Sequence, residues 1–207
     1  MKIAFIGTHG VGKTSTCHFL AYLIKAKLLD GSDARVEVVS EVARILSREK
    51  KIPINEQTTL EAQQMIAQTQ IDAEKEAAKH NDIVICDRAY LDNIAYAEHK
   101  FGKQNLFHQI GPSWMQTYDY LFKVPITKMP YEDGIRSTDP EFQKAIDKRI
   151  DELIKLWGVK CEVLPIEGRD GTFAYEMALA RFFSDRIDLS QFGAVKKQGV
   201  TLEAFGK

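Results

Sequence analysis

The sequence predicts an α/β fold in which helices cover a largely parallel sheet. Short apolar runs alternate with long segments of helical period. One run, Ile83–Cys86 (IVIC), is apolar at every position, as a strand covered on both faces must be. The length, 207 residues, suits one domain with a sizeable core.

Lys2–Ile6 (KIAFI) reads as the first strand, ended by Gly7. Helical period runs from Lys13 to Leu29, with Phe19, Leu20, Leu23 and Ile24 on one side. Arg35–Ser40 (RVEVVS) reads as the second strand and Glu41–Arg48 as a short helix. Glu56–His80 is dominated by Ala, Gln, Glu and Leu and lacks Gly and Pro, which predicts one long helix. Ile83–Cys86 is the third strand, and helices are expected at Ala89–His99 and near Pro112–Thr117. Tyr118–Val124 (YDYLFKV) and Cys161–Ile166 (CEVLPI) supply the fourth and fifth strands. Between them, Pro125–Pro140 is rich in Pro, Gly and charge and leads into a helix over Glu141–Trp157. Gly171 opens a last helix, Thr172–Phe183. From Asp185 to Lys207 the apolar residues follow no period. The expected organisation is therefore a domain over residues 1–184, with a lid at 125–150, and a tail over 185–207 that is docked or partly disordered.

Composition excludes several functions. With 28 Lys and Arg against 29 Asp and Glu, the net charge of −1 gives no bulk attraction to nucleic acid or a membrane surface. Cys17, Cys86 and Cys161 lie far apart without CxxC spacing, which suits neither a zinc site nor a secreted disulfide framework. The apolar start MKIAFIG is too short for a signal peptide, and no run approaches the roughly 18–20 apolar residues of a membrane span. A cytoplasmic protein is expected, without membrane or nucleic-acid partners. Homo-oligomerisation is left open.

Gly7-Thr8-His9-Gly10-Val11-Gly12-Lys13-Thr14 fits G-x-x-x-x-G-K-[ST] between a strand and a helix, the context its mechanism requires. Glycines let successive backbone N–H groups turn inward as an anion nest. The nest lies at a helix N-terminus, whose free N–H groups and dipole favour negative charge. Gly7 through Ser15 are therefore the expected nucleotide-binding residues, with His9 at an unrestricted position. Lys13 is expected to reach the β- and γ-phosphates and Thr14 to ligate Mg²⁺, so ATP and Mg²⁺ are the expected cofactors.

Asp87-Arg88 follows the apolar third strand, where an acid suits a Mg²⁺ role and the arginine can lie over the transferring phosphoryl group. Glu41 follows the second strand, with Arg44 three residues on. A carboxylate at that edge suits an acceptor hydroxyl, and an arginine there suits a substrate anion. Pro130–Arg136 (PYEDGIR) reads as a mobile lid, with Arg136, and Arg149 as a second candidate, brought onto developing phosphate charge. Gly168–Gly171 is a candidate for the nucleotide base, and Gln57, Gln63, Gln64, Gln68 and Gln70 offer amides that suit a nucleobase or carboxamide. Each also has a structural reading: a capping Asp, a helix-start Glu, solvated lid arginines, helix-surface Gln.

Through GTHGVGKTS, EVAR, CDR and YEDGIRS, residues 1–183 resemble the P-loop nucleoside and nucleotide kinases. They look most similar to the ribosylnicotinamide-kinase-like proteins often labelled AAA-type ATPase domains. That resemblance implies a P-loop three-layer α/β/α sandwich with five parallel strands in order 2-3-1-4-5. It also implies that Glu41 binds or deprotonates the acceptor hydroxyl, that Asp87 and Arg88 fill the family's D-R position, and that Arg136 is its lid arginine. With no segment ahead of the first strand, an added adenylyltransferase activity is not expected. Asp87-Arg88 is not the paired-acid strand end of mechanical ATPases, and no N-K-x-D motif marks a GTPase. The expected function is an ATP- and Mg²⁺-dependent kinase of a small metabolite, a nucleoside or nucleotide, with Lys13, Glu41, Arg88 and Arg136 catalytic and Glu41, Arg44 and Arg88 binding the acceptor. The alternative is a nucleotide-dependent regulatory ATPase acting through protein contacts.

Overall fold

The computed structural model describes residues 1–26, 29, 33–127, 137–166 and 173–192. Five parallel strands, β1 (Lys2–Ile6), β2 (Val36–Val39), β3 (Ile83–Asp87), β4 (Tyr120–Lys123) and β5 (Glu162–Val163), form one sheet in the order β2-β3-β1-β4-β5. The helices are α1 (Lys13–Lys25), α2 (Val42–Lys50), α3 (Leu60–His80), α4 (Tyr90–Phe101), α5 (Asn105–Met115), α6 (Pro140–Trp157) and α7 (Phe173–Arg186).

The strand residues alternate between two cores. Ala4, Ile6, Val84 and Cys86 pack with residues of α3, α4, α5 and α6 on one face. Ile3, Phe5, Ile83 and Ile85 pack with residues of α1 and α7 on the other. Both faces being covered explains why the central strands are apolar throughout. In register, Phe5 lies beside Asp87 and Ile6 beside Lys123, so the C-terminal strand ends share one edge of the sheet. In such a sheet that edge forms the ligand crevice.

Several boundaries move from the expected ones. Residues Asn55–Gln57 form a separate 3₁₀ turn, and α3 starts only at Leu60 because the Thr59 hydroxyl caps it, accepting from the Ala62 N–H at 3.1 Å. Helix α5 begins at Asn105 and carries Pro112 in its interior. Its buried residues Phe107, Gly111 and Met115, spaced by four, place that face on the core despite the lost N–H. Strand β5 keeps two residues, and α7 runs on to Arg186. Beyond it, Ile187 and Leu189 are buried in the α1–α7 core. The lid segment 128–136 with Arg136, the stretch Gly168–Gly171 and the tail from residue 193 lie outside the described residues.

Candidate active site

The strand-to-helix turn after β1 carries the positive-φ glycines that an anion nest requires. Gly10 and Gly12 take φ of 76° and 91°, conformations that a side chain resists, and Gly12 caps α1 without a side-chain bond. Buried Lys13 folds back, and its Nζ donates to the carbonyls of Gly7 at 2.7 Å and Thr8 at 2.6 Å. Burial and the neighbouring Arg88 pull its pKa down to about 8. Its ammonium is therefore poorly solvated, beside Arg88 and among the acids Asp92, Asp87 and Glu41, and added phosphate oxygens would favour its charged form. Thr14 and Ser15 lie exposed on the first turn of α1.

Asp87 ends β3 and is buried. Its Oδ2 accepts from the Thr14 hydroxyl at 2.5 Å, while Oδ1 is buried with no hydrogen-bond partner among the described residues. Burial raises its pKa, and Glu41 adds to the shift. An unmatched carboxylate oxygen beside a threonine hydroxyl fits a hard cation such as Mg²⁺, which takes few protein oxygens and completes its shell with phosphate and water. Among the described residues there is no cluster of three His, Cys, Asp or Glu side chains able to hold a metal by themselves.

Arg88 adopts φ 97°, a conformation costing a non-glycine residue about 1–3 kcal/mol. Its N–H donates to the Phe5 carbonyl at 3.2 Å. Its side chain is buried, with Nε donating to Glu41 Oε1 at 2.9 Å and the guanidinium 5.0 Å from the Tyr96 ring centroid. Burial works against the Arg88 charge, but Glu41, Tyr96, Asp92 and Asp87 raise its pKa well above the usual value. Glu41, at the N-cap of α2, is the reciprocal case. Burial raises its pKa, yet Arg88, Lys13 and Arg44 outweigh burial and hold it at about 2. Arg44 Nε stands 3.6 Å from Glu41 Oε2.

One concavity is thus lined by residues 9–14 with Glu41, Asp87 and Arg88. Arg44 joins through Glu41, whereas Arg149 does not. Its guanidinium pairs with Glu98 and Glu152 between α4 and α6. Of the glutamines, Gln63 donates to Thr58 Oγ1 at 2.8 Å and Gln70 to Glu74 Oε1 at 2.8 Å, so both buried amides are engaged internally. Gln57, Gln64 and Gln68 are exposed.

Two residues absent from the motif reading organise the site. Asp92 is fully buried on α4 and accepts from the Gly7 N–H and the Ala89 N–H, each at 2.9 Å, tying the glycine turn to the turn after β3. Burial raises its pKa. Tyr96 bridges the two turns, with its hydroxyl 3.0 Å from His9 Nδ1 and its ring on Arg88. The helical period D-x-x-x-Y after CDR places both on one face of α4 and was the available signal.

Fold and site together define a P-loop protein of nucleotide-binding type. The chain belongs to the family described as an AAA domain, whose match spans residues 2–170. No curated protein matches the sequence. Among solved structures, thymidylate kinase from Ehrlichia chaffeensis is similar at TM-score 0.64 and 20% identity, covering 89% of this chain and 97% of that one. NadR protein in complex with NR is similar at TM-score 0.66 and 18% identity over 94% of this chain, which spans only 52% of NadR. Deoxyadenosine kinase from M. mycoides is similar at TM-score 0.57 and 15% identity, over 89% of this chain and 98% of that one. The fold is that of P-loop nucleoside and nucleotide kinases. Among the described residues, no helix is long and apolar enough to cross a membrane.

Proposed function

We propose that this chain is an ATP- and Mg²⁺-dependent phosphotransferase acting on a small metabolite, a nucleoside or nucleotide. The observation carrying this reading is the convergence of the glycine nest, the unmatched Asp87 oxygen and the Arg88–Glu41 pair on one concavity. In this reading the backbone amides from Gly7 to Ser15 and Lys13 hold the triphosphate, and Thr14 and Asp87 hold Mg²⁺. Bound Mg²⁺ neutralises charge on the β- and γ-oxygens.

Glu41, with its pKa near 2, is an acceptor for the hydrogen bond of a substrate hydroxyl and a weak base. That suits a loose transition state, in which the hydroxyl needs aiming at phosphorus more than early deprotonation. Arg88 supplies fixed positive charge beside the transferring group, and Arg44 faces acceptor anions. Arg136 is assigned to the lid on sequence grounds, with residues 1–184 as the catalytic unit. The buried free thiols of Cys17 and Cys86 accord with a reducing, cytoplasmic setting.

The AAA family description brings a second reading, a nucleotide-dependent switch acting through protein contacts. Incubation with ATP·Mg²⁺ and a panel of nucleosides, nucleotides and vitamins separates the two. Acceptor-stimulated ADP release with a phosphorylated product is expected. Slow hydrolysis indifferent to every acceptor would replace the kinase reading with the switch.

A further inference from the structure

Helix α6 reaches the glycine turn at His9. Gln143 Nε2 donates to the His9 carbonyl at 2.9 Å across 134 residues of sequence, with both residues 2% exposed. The neighbouring Phe142 lays its ring on the His9 imidazole, centroids 5.5 Å apart and planes at 32°. Tyr96 of α4 meets the same imidazole at Nδ1. His9 is therefore held by its backbone and its ring from two helices. Helix α6 is itself pinned to the sheet, because Lys123 Nζ donates to Asp147 at 3.0 Å and Asp151 at 2.6 Å.

Peptide planarity gives this anchoring a consequence. The peptide bond between His9 and Gly10 is trans, so the N–H of Gly10 points opposite to the carbonyl of His9. A donor that fixes the carbonyl toward α6 fixes the Gly10 amide away from it, and Gly10 lines the concavity shared with Lys13, Thr14 and Asp87. We infer that Gln143 is a positioning residue for phosphate binding, setting the direction of the Gly10 amide through the His9 peptide plane. This rests on the glycine turn being the nucleotide site. A glutamine suits the task because its amide reaches a carbonyl without bringing charge beside Lys13. Without the donor the peptide is free to rotate, since Gly10 tolerates either sign of φ.

The test compares Gln143→Met, which keeps length without a donor, with Gln143→Asn, which withdraws the donor. Ile146→Val serves as a packing control on the same helix. ATP dissociation constants are measured by calorimetry beside melting temperatures, and the Gly10 amide resonance is followed during ADP titration. Loss of one hydrogen-bonded alignment is expected to weaken ATP about tenfold in either Gln143 variant. Ile146→Val is expected to lower the melting temperature and leave affinity unchanged. In the wild-type chain the Gly10 amide should shift on ADP saturation, and a resonance that stays put overturns the inference whether or not the variants fold. Wild-type ATP binding with unchanged affinity in a folded Gln143 variant also overturns it, while leaving the nucleotide site standing. A wild-type chain that binds no nucleotide removes the proposed function and this inference together.

Discussion

Lys13 carries a charge that its surroundings do not favour, with burial and Arg88 bringing its pKa to about 8. A triphosphate would favour the ammonium, so binding is expected to take up a proton wherever free Lys13 has lost one. Affinity should then be full below about pH 8 and fall as pH rises past it, with proton uptake visible by calorimetry in buffers of different ionisation enthalpy. Lys13→Ala should abolish turnover and ATP binding while the far-ultraviolet circular dichroism stays unchanged. Glu41 works the other way. Its folded pKa of about 2 lies below the ordinary 4.5, so its contribution to stability is present above pH 4.5 and lost as pH falls toward 2. Glu41→Gln should lower kcat about a hundredfold with little change in ATP affinity, and should blunt this acid-induced loss of stability. The positions of Lys13, Thr14 and Asp87, at the start of α1 and the end of β3, could be read from sequence because motif spacing and a strand end are local properties. The D-x-x-x-Y spacing put Asp92 and Tyr96 on one face of α4, but their roles, like that of Gln143, exist only once α4 and α6 are docked on the turn.

Among the elements, the α4–α5–α6 packing shows why helix spans were easier to read than helix roles. Glu98 of α4 is buried and accepts from Arg149 Nε at 3.2 Å, with His108 Nε2 of α5 at 2.6 Å. Trp157 donates its indole N–H to His108 Nδ1 at 3.1 Å, which assigns the imidazole proton to Nε2 and its hydrogen bond to Glu98. Arg149, a phosphate candidate by its position after the lid, is thus a strut between helices. The periods of α4 and α6 announce apolar faces but not which buried acid an arginine will find. The same contact explains Gly111, since a Cβ there would lie 2.3 Å from Trp157 Cη2, a ring already fixed by His108. Gly111→Ala should therefore destabilise by about 1–3 kcal/mol in urea unfolding. ATP affinity in the native protein should not change, because the clash is confined to the α5–α6 contact. A loss of affinity without a loss of stability would show that α5 acts on the nucleotide site.

At the scale of the molecule, the near-neutral total conceals a local cluster of buried charge. The net charge of −1 sums 28 bases and 29 acids, yet Lys13, Arg44 and Arg88 gather at one edge of the sheet. The parallel sheet was readable from alternating runs, and its strand order followed from the P-loop resemblance. The gathering of these bases was expected on the same grounds, because that order brings three strand ends to one edge, whereas the buried Asp92 among them was not. That edge is costly in the free protein: it holds a desolvated lysine, an arginine at φ 97° and an unmatched Asp87 oxygen. A ligand supplying phosphate oxygens and Mg²⁺ answers these groups together, so it should stabilise the whole fold by linkage. At about a hundred times its dissociation constant, ATP·Mg²⁺ should add about 2.7 kcal/mol, raising the melting temperature of a domain this size by about 5–10 °C. Lys13→Met offers the contrast. It removes a disfavoured charge but also two bonds to the Gly7 and Thr8 carbonyls, so its own melting temperature should stay within a few degrees of wild type. The shift produced by ATP·Mg²⁺ should disappear in that variant. A full shift in Lys13→Met would mean that the stabilising ligand sits elsewhere, and the cavity of about 550 Å³ lined by Tyr120, Trp157, Lys160 and Arg186 would be the place to look.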